Sequence, residues 1–597
     1  MIDWRHLVRH FSLICLCILA AISLKARETI VVRTQSDFDQ LTESLIAAFK
    51  SDANDIYVKF SPGQYEADEN LIKLIEINAP KTRLHIRGHN TVVVPKGKTY
   101  RNGEKYEGKF DVDNSWMYCD KDVETWSHIR YADGLVEILD PKTKECKIKS
   151  FESFPENIDY GNAYILITHW YLSSVYKISK IEGNYIYFIA NDLAENHYKN
   201  GYNINDDFHY GHINPRYKLC NVETGDDYLR ITNGKVYLPS GIVTVREGTT
   251  HRYVSIKDCS FRGIEVSGIK FLGNKGKKSD AAIFLKNVNC ESTRIHKCEF
   301  LGFRSDVISS KSSRNVIIEN NVFSDCYFSG IRSDNDCEDT NIKGNFFSYM
   351  GKRMNNSFCI VCRGTNYLVQ ENTFVDYGYG GIGVGVWYKS SKKNKCSGIV
   401  EHNDLRYSED YMADIANHTI MDGGAIYLWT KNDGSIIRYN YINDFSGVKT
   451  NRGIFCDDGA YNYQLIGNVI TGIANYYCID ARRVAKVQDA NTPGTGIDKS
   501  NVNIVMKGNI VDGKIHFVGN EIDDNGCVLG DTYYLQSGNT ELPKSNIKNV
   551  SVVGENVVLN YMGERGGYVG ISSKSFRQIK KSSVWDDVKS YIVRKNH

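Results

Sequence analysis

Three short segments of the sequence combine carboxylates, guanidinium groups and aromatic rings. They are residues 421–429 (MDGGAIYLW), 452–460 (RGIFCDDGA) and 477–483 (YCIDARR). Hydrolysis of a glycosidic bond commonly uses two carboxyl groups, one to protonate the leaving oxygen and one to activate water or attack the sugar. These segments therefore contain the residue types that chemistry on a carbohydrate requires.

Alternation along strands predicts which of these side chains share one face. We take Ile426, Ile454 and Ile479 as the same inward position on successive coils, and we extend that register back to Ile360 and Ile331. The outward positions then form one groove that is lined by carboxylates, guanidinium groups and aromatic rings. The groove residues are Asp334, Arg363, Tyr427, Trp429, Phe455, Asp457, Asp480 and Arg482.

Asp457 and Asp480 form the pair of acids that this register predicts. They lie on adjacent coils with an offset of two residues, which gives a backbone separation of about 8 Å. That spacing suits an inverting glycosidase better than a retaining one. Asp422 precedes its strand in the same register, so it reaches the groove only if Gly423 and Gly424 fold the chain back.

A recurring phrase predicts the element that carries these residues. It consists of an aliphatic residue, two variable residues, Asn, one variable residue and a bulky apolar residue. Successive copies fit a coil of about 23 to 25 residues with insertions of variable length. The asparagines of the phrase are Asn321, Asn345, Asn372, Asn403, Asn440, Asn468, Asn509 and Asn556, and Cys259 and Cys298 take the same place in two further copies.

Such a period, built from β-branched and aromatic runs, is typical of a solenoid. A leucine-rich repeat needs a Leu-rich consensus that this chain lacks. We therefore predict an all-β fold, a right-handed parallel β-helix, with the repeated apolar positions in its core. We expect each repeated Asn to lie at a bend, where it tolerates left-handed geometry and can hydrogen-bond to the next coil, which is a structural role.

The sequence predicts five parts along the chain. Residues 1–27 read as a signal peptide, because basic residues precede an apolar run that is too short to span a bilayer; an amphipathic or buried first helix is the alternative. Residues 28–97 are expected to form an N-terminal cap, with a helix over 36–50, and the first coils. Residues 98–232 form a small β-rich insert of antiparallel hairpins, 233–560 the β-helix with the catalytic groove, and 561–597 a C-terminal tail or cap.

The composition of the chain indicates which classes of binding partner to expect. With 73 Lys and Arg against 71 Asp and Glu, the near-neutral charge gives no reason to expect nucleic acid. The 39 Tyr and 7 Trp offer flat apolar faces beside polar groups, as a sugar would require. We expect a carbohydrate substrate, no stable membrane insertion after removal of the signal, and a monomer.

We also expect neither a cofactor nor a metal. Cys359-x-x-Cys362 lacks the second pair of cysteines that a zinc site needs, and most cysteines read as small buried apolar side chains.

Segments 422–427 (DGGAIY), 440–444 (NYIND) and 453–459 (GIFCDDG) resemble the β-helical glycoside hydrolases of family 141 and their right-handed β-helix relatives. The resemblance is densest over residues 400–480. It implies an exported carbohydrate-active enzyme with aspartates in the catalytic roles, which by position are Asp422 and either Asp457 or Asp458. The chain departs from the pattern at Cys456, where relatives usually carry a bulky aliphatic residue, and at Asn443, where they often carry His.

Each candidate also has a simpler interpretation. The Asp-Gly-Gly and Asp-Asp-Gly sequences form turns on their own, Trp387 and Trp429 can serve as surface packing, and His418 can be an ordinary loop residue. Beside the catalytic aspartates, the residues expected to bind substrate are Arg363, Trp387, His418, Tyr427, Trp429, Asp480 and Arg482.

Three functions follow from these candidates. The first is an exported glycoside hydrolase, periplasmic or at the surface of a bacterium, that cleaves a complex polysaccharide or its oligosaccharides. The second is a polysaccharide lyase, which needs a cation for the uronate carboxylate and a base, roles that Arg363, Arg482 and Tyr427 could take. The third is a non-catalytic solenoid that binds glycans or proteins.

Overall fold

The computed structural model describes part of the chain. The described residues are 27–51, 53–67, 71–107, 118–119, 127, 130–134, 136–140, 142–154, 162–169, 172–190, 216–222, 229–237, 242–246, 252–273, 281–334, 336–351, 357–385, 396–407, 423–429, 432, 434–443, 452–457, 460, 462–473, 477–482, 504–511, 514–518, 528–529, 532–536, 551–552, 557–563 and 569–571. Residues 1–26 of the predicted signal peptide lie outside these residues, and Arg27 already belongs to β1 (Arg27–Val32). No helix among the described residues is long and apolar enough to cross a membrane.

The predicted right-handed parallel β-helix is confirmed. Its first face is an 11-stranded parallel sheet, which carries the candidate site. Its strands in order are β4 (Ile72–Ile75), β18 (Val254–Lys257), β20 (Ala281–Lys286), β23 (Asp306–Lys311), β26 (Ile331–Ser333), β29 (Phe358–Cys362), β32 (Gly380–Val384), β35 (Gly424–Leu428), β38 (Arg452–Cys456), β41 (Tyr477–Arg482) and β44 (Lys514–Val518).

The other two faces join into one 26-stranded sheet, because two long strands, β5 (Asn78–Pro95) and β19 (Ser260–Leu272), run across both. One face contains β1 (Arg27–Val32), β2 (Asp55–Phe60), β21 (Asn289–His296), β24 (Val316–Glu319), β27 (Asn341–Lys343), β30 (Tyr367–Gln370), β33 (Gly398–Glu401), β36 (Ser435–Arg438), β39 (Tyr463–Ile466), β42 (Ile504–Lys507), β45 (Val528–Leu529) and β47 (Ser551–Val552). The other contains β3 (Gly63–Ala67), β22 (Glu299–Leu301), β25 (Val322–Ser324), β28 (Phe346–Met350), β31 (Thr373–Tyr377), β34 (Asp404–Arg406), β37 (Tyr441–Asn443), β40 (Val469–Thr471), β43 (Asn509–Val511), β46 (Thr532–Gln536), β48 (Val557–Gly563) and the antiparallel β49 (Val569–Ile571).

The predicted inward register is correct. Ile331 pairs with Ile360, Ile426 with Ile454, and Ile454 with Ile479. All these side chains are fully buried in one continuous core. The repeated Phe of the phrase also stacks from coil to coil, with ring centroids 4.7 Å apart between Phe323 and Phe347. Burial of this apolar column is the main term that stabilises the cylinder.

The repeated asparagines form an internal ladder, as expected. The Asn372 side chain donates to the Ile342 carbonyl and to Asn403 Oδ1, each at 3.0 Å, and Asn372 Oδ1 accepts from the next coil back. The left-handed conformation, however, falls on the residue before each Asn, for example Glu371 and His402, both with φ 54°. The preceding residue makes the bend, so the Asn amide is free to bridge two coils.

Two short helices, instead of the single helix predicted over 36–50, cover the N-terminal end. These are α1 (Gln35–Asp39) and α2 (Leu41–Phe49), and Gln40 between them has φ −95° and ψ 5°, which interrupts the first helix. The helix begins earlier than its predicted start, because Thr34 caps it and Asp37 completes a capping box. The buried faces of both helices join the core, so the open end of the cylinder is shielded.

The insert forms the predicted antiparallel hairpins. Its seven-stranded sheet runs in the order β8 (Arg130–Tyr131), β14 (Arg216–Cys220), β11 (Tyr164–His169), β12 (Leu172–Glu182), β13 (Tyr185–Ile189), β10 (Glu145–Lys149) and β9 (Glu137–Asp140), with an apolar cluster of its own.

Two smaller antiparallel sheets contain the strands that precede the next parallel coil in the sequence. They are β15 (Arg230–Thr232) with β16 (Lys235–Tyr237), and β6 (Lys98–Arg101) with β17 (Ile242–Arg246) and β7 (Tyr118–Cys119). Parallel coils therefore resume at β18, later than the position near residue 235 that the sequence suggested.

The cysteines of the described part behave as small buried apolar residues. Twelve of them, between Cys146 and Cys478, are buried thiols. Burial raises the pKa of the Cys298 and Cys326 thiols to about 12. These thiols are therefore protonated and unreactive in the folded protein.

Candidate functional site

One outward column of the 11-stranded sheet brings together four of the predicted groove residues. Asp334, Arg363, Gly385, Trp429 and Asp457 each follow the last paired residue of five successive strands. The backbone ladder continues through them, since Trp429 N–H donates to the Val384 carbonyl and Asp457 N–H to the Leu428 carbonyl. We call these five residues the site column.

Aromatic side chains cover the middle of the site column. Tyr427 and Trp429 contact each other with ring centroids 5.3 Å apart, and both lie about 5 Å from Phe358. They belong to a cluster that is separate from the interior core and that also contains Val361, Tyr379 and Phe455. Gly383 makes room for it, because an added Cβ would lie 2.8 Å from the Trp429 ring.

Asp457 lies beside this aromatic cluster. Its Oδ2 accepts a hydrogen bond from the Tyr427 hydroxyl. Only 4% of Asp457 is exposed, so a carboxylate on an outward position of the strand is nevertheless enclosed. Its hydrogen bond with Tyr427 is therefore screened less by water than a bond at the open surface would be.

Asp480 has a different environment from the one expected. It is fully buried, and its Oδ2 accepts from Arg452 Nε at 2.5 Å. The Arg452 guanidinium also lies 3.9 Å from the centroid of the Phe455 ring. A buried ion pair of this kind is costly to break, so the Asp480 carboxylate stays bound to Arg452 and does not act directly on a substrate. The geometry therefore does not support Asp457 and Asp480 as a pair of catalytic acids.

Arg363 lies at the solvent-accessible end of the site column. Its guanidinium carbon is 5.2 Å from the centroid of the Trp429 ring, and its Nη1 is 3.6 Å from Asp334 Oδ1. The Arg363 side chain is 28% exposed and that of Asp334 is 29% exposed. Burial and the neighbouring Arg332 lower the pKa of Arg363.

Arg332 is better neutralised than Arg363. Its Nε donates to Asp306 Oδ2 at 2.6 Å, while Asp306 Oδ1 accepts from the Ser329 N–H. Burial alone would lower the pKa of Arg332, but Asp306 and Asp334 outweigh it and raise that pKa. Arg332, Arg363, Asp306 and Asp334 thus form a charged row next to the aromatic cluster.

Several predicted site residues lie outside the described part of the chain. These are Asp422, Asp458, His418 and Trp387. Arg482 ends β41, but its side chain is also outside the description.

The sequence analysis did not identify Arg452 and Phe358 as residues of the site. The alternation of inward and outward side chains is interrupted just before each inward Ile. Two consecutive residues point inward there, so that both Ala425 and Ile426 belong to the core. The residue two positions before the Ile consequently points outward, as Arg452 does. The small residue that precedes each Ile, such as Gly453 or Cys478, was the available signal.

Part of the chain matches a family model. Residues 231–398 are similar to the periplasmic copper-binding protein (NosD) family. No curated protein matches the chain. Among the described residues, no group of three or more His, Cys, Asp and Glu side chains is arranged to hold a metal ion.

Solved β-helix proteins are similar over most of the chain. A glycoside hydrolase matches at 10% identity and a TM-score of 0.44, covering 89% of this chain and 96% of its own. The A-module of the mannuronan C-5 epimerase AlgE4 from Azotobacter vinelandii matches at 9% identity and a TM-score of 0.37, covering 89% and 93%. XylC, solved with xylose, matches at 10% identity and a TM-score of 0.38, covering 91% and 88%. With identities this low, we base no conclusion about activity on these similarities.

Proposed function

We propose that this protein is an exported glycoside hydrolase that cleaves glycosidic bonds in a complex polysaccharide or its oligosaccharides. The observation that supports it best is the environment of Asp457, a carboxylate that a tyrosine hydroxyl orients beside an aromatic cluster on a rigid parallel sheet. Fixed carboxylates next to aromatic faces are what sugar recognition and acid–base catalysis require. The short resemblance to family 141 over residues 400–480 points the same way.

The hydrogen bond from Tyr427 suggests a role for Asp457. The Tyr427 hydroxyl holds the Asp457 carboxylate in one orientation, as a group that acts on a bound sugar requires. Of the two acids of a glycosidase, one activates water or attacks the anomeric carbon and the other holds a proton for the leaving oxygen. We assign one of these roles to Asp457 and the other to Asp422, while Asp480 keeps Arg452 in place.

A panel of oligosaccharides tests this proposal. Purified protein should release shorter products from at least one member, and NMR of the new reducing end gives its anomeric configuration. The Asp457→Asn variant should lose that release while keeping the circular dichroism spectrum of the wild type. Unchanged turnover in this variant would remove Asp457 from the site.

Arg363 favours one alternative, a polysaccharide lyase. Such an enzyme neutralises a uronate carboxylate with a cation and removes the neighbouring proton with a base, for which Tyr427 is available. Products with an ultraviolet-absorbing unsaturated uronide would favour the lyase over the hydrolase. Binding with no product of either kind would favour a non-catalytic glycan-binding solenoid.

A further inference from the structure

The charged row contains one guanidinium nitrogen, Arg363 Nε, that lacks a hydrogen-bond acceptor in the described part of the chain. That nitrogen is also enclosed. Its nearest carboxylate oxygen, Asp334 Oδ1, is 3.6 Å from Nη1, which is longer than a hydrogen bond. An enclosed donor without a partner costs free energy that a ligand can recover if it draws the guanidinium into a hydrogen bond.

The neighbouring carboxylates do not compensate this charge fully. Asp306 is engaged by Arg332 and by the Ser329 N–H. Asp334 is shared, since its Oδ1 is 3.8 Å from Arg332 Nη1 and 3.6 Å from Arg363 Nη1. The positive charge of Arg363 is therefore the least neutralised of the row, and it stands next to the positive charge of Arg332.

The position of Arg363 relative to Asp457 fits a more distant sugar of the same glycan. The two residues are three coils apart in the site column, about 14 Å along the sheet. The Arg363 guanidinium leans over Trp429, which is on the coil next to Asp457. A glycan with its scissile bond at Asp457 that runs along the site column would thus place a more distant sugar residue of the same chain near this guanidinium.

We propose that Arg363 binds the carboxylate of an acidic sugar, so that the substrate is a glycan containing uronic acid; this inference rests on the proposed function at Asp457. A guanidinium offers a planar fork that matches a carboxylate with two parallel hydrogen bonds, and the Trp429 ring holds the plane of the fork. Partial burial strengthens this ion pair relative to one in water. A neutral sugar would supply hydroxyl acceptors but would leave the charge uncompensated.

The test compares acidic oligosaccharides with their own neutral derivatives. Oligogalacturonides, alginate oligosaccharides and glucuronoxylan oligosaccharides are each prepared as such and after chemical reduction of the carboxyl groups. Binding to the full chain carrying Asp457→Asn is measured by isothermal titration calorimetry. At least one acidic member should bind ten times or more tightly than its carboxyl-reduced counterpart, and added salt should weaken only the acidic one.

Two variants assign the discrimination to a residue. Arg363→Gln should bring the acidic and reduced forms within about threefold of each other by removing the charged fork. Arg294→Gln is the matched control, because it removes an arginine that is half exposed and paired with Glu319 on another face. It should leave the discrimination unchanged. Thermal melts report whether each variant is folded.

The outcomes separate this inference from the proposed function. Hydrolysis of neutral oligosaccharides without preference for acidic ones would overturn the carboxylate subsite and leave the hydrolase intact. Discrimination that depends on Arg363, without cleavage of any glycan by the wild type, would overturn the hydrolase and leave the subsite intact. Equal binding of both forms, no binding of any acidic member, or discrimination that survives Arg363→Gln would overturn the subsite.

Discussion

Two clusters of charged side chains on the outside of the β-helix contain the same residue types but have different roles. On the 26-stranded sheet, Glu265 accepts from Arg87 at 2.6 Å, from His85 at 2.7 Å and from His296 at 3.0 Å. His85 also contacts Asp55 and stacks on a tyrosine ring. In this Glu265 cluster, both oxygens of the Glu265 carboxylate have close hydrogen-bond partners.

The site column is arranged in the opposite way. Among the described residues, Arg363 Nε has no hydrogen-bond acceptor, and the guanidinium lies beside the Trp429 ring with Nη1 3.6 Å from Asp334 Oδ1. Mutual satisfaction fixes the Glu265 cluster as a structural element, whereas Arg363 can gain a hydrogen bond from a ligand. The two clusters differ in how completely their charged groups are hydrogen-bonded. This property, and not the number of charges, distinguishes a stabilising cluster from a functional one.

Asp457→Asn should produce the largest effect. General acid–base catalysis contributes about 10² to 10⁴ in rate, so activity on a cleaved oligosaccharide should fall by that factor. Asn has nearly the same shape and can still accept from Tyr427, so the protein should stay folded with a loss of about 1 to 3 kcal/mol in the free energy of unfolding. Glu265→Gln is the matched control, and the comparison fails if it costs as much activity as Asp457→Asn.

Glu265→Gln should instead lower stability. Burial alone would raise the pKa of Glu265, but hydrogen bonds from Arg87, His85 and His296 lower it from 4.5 to about 2. Because the folded pKa is depressed, this contribution is complete above about pH 4.5 and is lost as the pH falls toward 2. We expect Glu265→Gln to cost about 2 to 3 kcal/mol at pH 7. Denaturant melts from pH 7 to pH 2.5 should show a weaker acid dependence in the variant; an identical dependence contradicts this assignment.

Gly383→Ala should disturb the site column without unfolding the protein. The new Cβ would lie 2.8 Å from the Trp429 ring, which must move away from Arg363. Loss of one desolvated aromatic contact corresponds to about 1 to 2 kcal/mol, so kcat/KM should fall roughly tenfold. Gly263→Ala is the control on the other sheet, where the nearest atom would be 3.3 Å away. Equal kcat/KM in the two variants would show that the position of Trp429 is unimportant.

Tyr427→Phe should give the smallest effect. It removes one hydrogen bond to Asp457 and keeps the ring in the aromatic cluster, so we expect a loss of about 1 kcal/mol in stability and a severalfold loss in rate. Tyr65→Phe removes hydrogen bonds to two carbonyls at the N-terminal end and should affect stability alone. A rate loss of similar size in Tyr65→Phe would mean that both changes act through the fold.

The sequence predicted the cylinder and its inward register, because an Ile recurs at one position of the strands in the 11-stranded sheet, where only β18 carries Val254 instead. It also predicted the Asn ladder, since an amide that serves two coils must recur. Burial of Asp457 could not be predicted, because it depends on aromatic side chains that four different coils bring together. The ion pair of Arg452 with Asp480 was missed since two consecutive inward residues break the alternation on which the prediction depended.

The buried cysteines offer a practical probe of how the cylinder unfolds. The twelve buried thiols between Cys146 and Cys478 are enclosed, so a reagent should reach each of them only when the surrounding structure opens. From Cys259 to Cys478 they are distributed along the cylinder, so alkylation of each one reports opening of its own coil. Mass spectrometry of time-resolved alkylation would therefore map, coil by coil, where this cylinder begins to unwind.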